Sequence, residues 1–152
     1  MGVYRADDPT NPGKDFTVKS KVYEQLTLGQ RALLMFWVLY GHAHSTAEFY
    51  WFVSYYISEL KVWPEIKSGI QYFGDDAMYR IYKEIEGVVK ARNQEIRGKR
   101  RKDTVIDLDD NSELFATVDR LYKLYPKIAP ETIKRISTYI RNNPDEFVLL
   151  ED

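Results

Sequence analysis

The sequence predicts an all-α fold, a single compact domain of about six helices around a central apolar helix. Three observations carry that prediction. Apolar residues recur at helical spacing in one segment after another, several of those segments open on a capping pattern, and no stretch alternates apolar and polar residues as a half-buried strand does. At 152 residues, 44% hydrophobic and 30% charged, the chain is long enough for a core without staples. No repeat of about 34 residues marks a solenoid.

Residues 1–15 hold Pro9, Pro12 and Gly13 among Asp and Asn and read as a flexible N-terminal arm, leaving 16–152 as the helical domain. A short helix is expected over 18–26, with Val18, Val22 and Leu26 on one face. Thr27 and Gln30 then form a capping box, and the helix they open, 29–40, is apolar nearly all round through "ALLMFWVLY". A helix without a polar face belongs at the centre of a fold. Gly41 suits its C-terminal cap.

Ser45 and Glu48 repeat the capping-box spacing and open a helix over 46–60. Phe49, Phe52, Val53, Tyr56 and Leu60 make its core stripe, Trp51 and Tyr55 form a second pair on a flanking face, and Tyr50 lies between them. "VWPEIKSGIQYFG" reads as a helix with Pro64 in its first turn and Gly74 past its end. Asp75 or Asp76 caps a long helix to about Arg97, buried along Met78, Ile81, Tyr82, Ile85, Val88 and Val89. The period breaks over 98–111, which reads as a loop. Ser112 opens a helix carrying Leu114, Phe115, Val118, Leu121, Tyr122 and Tyr125. Pro126 and Pro130 bracket an expected turn, and a last helix with Ile133, Ile136 and Ile140 inward ends at Pro144.

Composition removes several chemistries. With no cysteine there are no disulfides, thiolate metal sites or cysteine nucleophiles. The longest apolar run, Ala32 to Tyr40, is well short of the roughly 20 residues that span a bilayer. The first residues lack the apolar stretch of a secretory signal, so the expected location is cytoplasmic. No Gly-rich phosphate loop, nucleophile elbow, HExxH or dinucleotide fingerprint occurs, and neither an enzyme nor a cofactor is expected. The net charge of −1 hides an uneven distribution: −2 over 1–77, +6 over 78–102 and −5 over 103–152.

Three places invite a functional reading. His42, His44 and Glu48 are the one metal candidate, but two histidines two apart in a turn lack the three converging ligands a metal needs, and no metal is expected. "KARNQEIRGKRRK", 90–102, has the density of basic residues that phosphate contacts require, with Lys99, Arg100, Arg101 and Lys102 at its end. It has no interleaved aromatic for base stacking, so nucleic-acid association is the alternative reading. The leading one rests on aromatic content of 14%, with Tyr50, Trp51, Tyr55 and Trp63, together with Tyr72, exceeding what a small core hides. Exposed Tyr and Trp build interface centres, so these residues are expected to bind a protein partner, a second copy of the chain included.

"LTLGQRALLMFWVLYG", "AEFYWFVSYY" and "IKSGIQYFGDDAMYRIYKEI", with "FATVDRLYKLY" and "TYIRNNPDEF" near the end, resemble a family of small bacterial all-helical proteins of unknown function. One member of that family is a dimeric DNA mimic that binds a transcription factor. Where the family has an Asn-Gly-Gly-Phe turn before an aromatic helix, this chain reads Thr46-Ala47-Glu48-Phe49 and continues Tyr50-Trp51-Phe52. The resemblance implies a helical fold, protein–protein interaction and dimerisation. An acidic DNA mimic would need rows of carboxylates, which only 103–152 has the charge to supply.

Overall fold

The helices start where short side chains satisfy free backbone N–H groups. In the computed structural model the Thr27 hydroxyl accepts from Gln30 N at 3.1 Å while Thr27 N donates to the Gln30 carboxamide at 2.9 Å, completing the expected capping box. Ser45 caps the next helix by accepting from Glu48 N at 3.1 Å. The Glu48 carboxylate, however, takes the N–H of His44 at 3.2 Å, one residue upstream of the expected box partner.

The structure describes residues 23–95, 108 and 110–147. Among these are six helices and no strand: α1 Leu28–Tyr40, α2 Thr46–Ser58, α3 Trp63–Tyr72, α4 Asp76–Glu95, α5 Ser112–Asn142 and the single turn α6 Pro144–Phe147. The predicted all-α class holds. The arm expected at 1–15, most of the helix expected at 18–26, and Lys99, Arg100, Arg101 and Lys102 lie outside the described residues.

Two helix pairs make the body. α1 lies along α3, α4 lies along α5, and α2 touches all four. The α1–α3 approach is close because Gly69 has no side chain: a Cβ there would stand 3.1 Å from both Cα and O of Ala32. Between the pairs lie Phe36, Leu39, Phe49, Val53, Ile66, Ile70, Met78, Tyr82, Ile85, Leu121 and Tyr125, all essentially without solvent access. Two polar contacts tie the layers. Buried Asp75 accepts from Met78 N at 3.0 Å, capping α4, and from the Thr132 hydroxyl of α5 at 2.6 Å. Glu86 of α4 pairs with Lys67 of α3 at 2.9 Å and with Lys90 at 3.4 Å. Burial pushes the Glu86 carboxyl up, but the two ammonium groups outweigh it and hold it below its ordinary value.

Several expectations change on tertiary grounds. The turn predicted between Pro126 and Pro130 does not form, and α5 runs through both prolines as one 31-residue helix. Each proline forgoes one N–H and leaves one carbonyl, four residues back, without its helical donor. Both prolines are exposed, four apart on the outer face, while Tyr125, Ala129 and Thr132 stay buried. Phe115, expected inside, is 43% exposed. Leu108, inside the expected loop, is buried in the core. On α1, expected apolar on all sides and central, Gly29, Ala32, Met35, Phe36 and Leu39 are buried, whereas Leu34 and Trp37 are 41% and 45% exposed.

Candidate interaction face

α2 sorts its aromatics onto two faces. Phe49, Tyr50, Val53, Ser54 and Tyr56 are buried, and Trp51, Phe52 and Tyr55 are partly exposed. The buried arc therefore extends toward Tyr50 and Ser54 and gives up Phe52, because α2 packs against α1, α3, α4 and α5. Phe49 meets Tyr122 and Tyr125 of α5 at 5.7 and 5.2 Å between ring centres, and the Tyr56 hydroxyl donates to Val38 O of α1 at 3.0 Å. Burial, helped by neighbouring Tyr55, pushes the Tyr56 phenol up to about 12.

Of the four residues assigned to partner binding by sequence, two are surface and two are not. Tyr50 is 0% exposed and Trp63 1% exposed, and neither belongs to an accessible aromatic surface. Tyr50 lies in the hydrophobic core beside Phe49, and Trp63, at the start of α3, packs on Tyr82 with ring centres 5.4 Å apart. Trp51 and Tyr55 stack nearly parallel, 5.2 Å apart and 8° between planes. Tyr55 and Phe52 rest on the core, and Trp51 rests on them, meeting Phe52 edge-on at 4.8 Å. His42 extends the row, its ring 5.1 Å from Phe52.

The electrostatic setting of this row is acidic at its ends. Glu48, Trp51, Tyr55 and Glu59 follow one another at helical spacing, so the stacked pair lies between two exposed carboxylates. At the N-terminal end Thr46 donates to Asp119 of α5 at 2.7 Å, and hydrogen bonds from Lys123 and Thr46 hold the Asp119 carboxyl below its ordinary value. The two histidines are occupied by the backbone: His42 Nδ1 lies 2.9 Å from Val38 O and His44 Nε2 2.9 Å from Gly41 O. Among the described residues no three His, Asp or Glu side chains gather as a metal would need, and no helix is long and apolar enough to cross a membrane.

The family described as DMP19-like protein matches residues 24–143, about four-fifths of the chain. The chain belongs to the DMP19-like protein family. No curated protein and no solved structure matches it. The span shared with DMP19-like proteins includes all of α1 to α5 and therefore the whole aromatic row.

Just beyond that span the DMP19-like chain closes on itself through a cluster that sequence reading missed. The Glu146 carboxylate accepts from Gly29 N at the start of α1 at 2.7 Å, from the Tyr139 hydroxyl at 2.8 Å and from the Tyr72 hydroxyl. The Thr27 hydroxyl donates to Glu146 O at 2.8 Å. A carboxylate against the free N–H groups of a helix start is electrostatically favourable. Hydrogen bonds, that from Tyr72 first, hold Glu146 below its ordinary 4.5, and the same contact pushes the Tyr72 phenol up. A Cβ at residue 29 would stand 2.5 Å from Glu146 Oε1 and 2.7 Å from Phe147 Cζ, so a side chain there displaces both. The "NPDEF" ending is thus a latch across α1, α3 and α5. The sequence marked this ending only as part of the family resemblance, and nothing local distinguishes Glu146 from Asp145 as the residue that bonds.

Proposed function

We propose that this DMP19-like chain is one helical domain, residues 16–152, that works by binding protein and not by catalysis, with Trp51 and Tyr55 at the centre of the contact. The observation that carries the reading is the stripe Glu48–Trp51–Tyr55–Glu59, in which a half-buried stacked aromatic pair lies between exposed carboxylates, with Tyr55 resting on the core. Rigid aromatic rings cost little entropy to bury and are enriched where interfaces are tightest. Membership of the DMP19-like family is compatible with the same reading.

The charge distribution argues against an acidic DNA mimic. The six basic residues of 103–152 all lie on α5, where Arg120, Lys123, Lys127, Lys134, Arg135 and Arg141 outnumber Glu113, Asp119 and Glu131. The longest helix therefore presents the opposite sign to a row of phosphates. In the basic run offered as a nucleic-acid site, the described members Lys90 and Arg92 pair with Glu86 and Glu95.

The partner we infer first is a second copy, in a two-fold pairing through α2. Light scattering after size exclusion, over a concentration series reaching the high micromolar range, tests it. The wild type is expected as a dimer, and Trp51→Ser with Tyr55→Ser as a monomer with unchanged helical circular dichroism. A monomeric wild type at the highest concentration removes self-association. Loss of helicity in the double variant returns both rings to the core and removes the aromatic face.

A further inference from the structure

α5 carries a second surface, of opposite character and independent of the aromatic row. Arg120, Lys127, Lys134 and Arg141 are spaced seven residues apart, with Lys123 between the first two, and all five are exposed. Residues seven apart share a helix face. The opposite face is the buried one: Leu114, Val118, Leu121, Tyr125, Ala129, Thr132 and Ile136. At 1.5 Å per residue the ridge from Arg120 to Arg141 is about 31 Å long.

Its charges are only partly neutralised. Arg120 meets Glu84 of α4 at 3.3 Å and Lys123 meets Asp119 at 2.8 Å. Among the described residues no carboxylate pairs with Lys127 or Lys134, and Arg141 donates to the Thr138 hydroxyl. Glu131 is exposed between the two lysines without bonding either. A helix held in place only for its inner face needs exposed polar residues outward, but not one sign at a fixed heptad interval.

We propose that this ridge docks an acidic α-helix of another protein, lying along α5 with carboxylates at seven-residue spacing. The interval fits a helix better than a nucleic acid. Two helices side by side repeat their facing positions every seven residues, whereas a phosphate backbone presents charge at every nucleotide. Glu131 and Asp119 interrupt the ridge, which repels a continuous polyanion but accommodates a partner helix whose facing residues include one basic or neutral position. The charged positions of the ridge also include no aromatic on which bases could stack.

Fluorescence anisotropy at low salt tests this with three labelled probes. The first is a synthetic helical peptide of four heptads with glutamate at one position in each. The second is a peptide of equal composition and helicity with its glutamates spread around the helix, and the third is a DNA oligonucleotide of equal charge. The in-register peptide is expected to bind about tenfold or more tightly than the spread one, and Lys127→Glu with Lys134→Glu to lose about tenfold in affinity, as several exposed pairs together allow. Lys127→Gln with Lys134→Gln, a milder change that keeps helix propensity, should show a smaller loss in the same direction. Equal binding of the two peptides, tighter binding of DNA, or binding of none of the three overturns the proposal.

Discussion

α1 and α5 each bury one face in the same core, but they turn very different faces to solvent. α5 sets Lys127 and Lys134 outward against Leu121 and Tyr125 inward, while α1 leaves Leu34 and Trp37 41% and 45% exposed opposite Phe36 and Leu39. On α5 the pattern of side chains states which way the helix faces. On α1 every orientation buries apolar surface, and only the neighbours choose among them: α3 through the Gly69–Ala32 approach, α2 through Tyr56, and α6 through Glu146. Apolar content alone shows that a helix has something to hide, not which side is hidden.

The largest effect that separates the two helices is expected on the inner face of α5. Leu121→Ala removes a fully buried side chain and should lower stability by about 2–5 kcal/mol in urea unfolding. Leu34→Ser on the outer face of α1 should cost less than about 1 kcal/mol in the same measurement. If the two costs are equal, Leu34 is covered in solution and the contrast between the helices fails.

Next in size is Gly29→Ala, expected to cost about 1–3 kcal/mol because the new methyl group meets both Glu146 and Phe147. The displaced latch should show as faster amide exchange at Gly29's neighbours and in 144–147. An alanine variant as stable as wild type would mean that α6 does not sit on α1.

The smallest expected effect is on pH dependence. Glu146 is held below 4.5 in the folded chain, so its contribution to stability is complete above that pH and disappears as pH falls through the lower folded value. Glu86, also held below 4.5, acts in the same direction, and Asp119 does so below its ordinary 3.8. Glu146→Gln should therefore flatten, without abolishing, the fall in urea midpoint between about pH 5 and 3. Parallel curves for the two proteins would show that the carboxylate makes no bond in solution.

Much of this was legible from residues within a few positions of one another. The caps at Thr27 and Ser45, the stop before Pro144 and, apart from Phe115, the inner face of the first half of α5 depend on short-range spacing, and the structure has them where the sequence put them. The candidate face was half legible. Trp51 and Tyr55 were separated from the core stripe by spacing alone, but Tyr50 and Trp63 were not recognisable as core, since nothing local says that the fold covers one or that Tyr82 receives the other.

The sequence by itself determined the helical class and the helix starts at Thr27 and Ser45, because capping bonds and the 3.6-residue period act within one or two turns. Tertiary structure alone decided which face of α1 is buried, which of Tyr50 and Phe52 enters the core, that α5 continues through Pro126 and Pro130, and that Glu146 bonds to Gly29. Each of those choices is made by contacts between residues far apart in the chain. Their energies compare whole packings with one another, and no short window of residues contains that comparison.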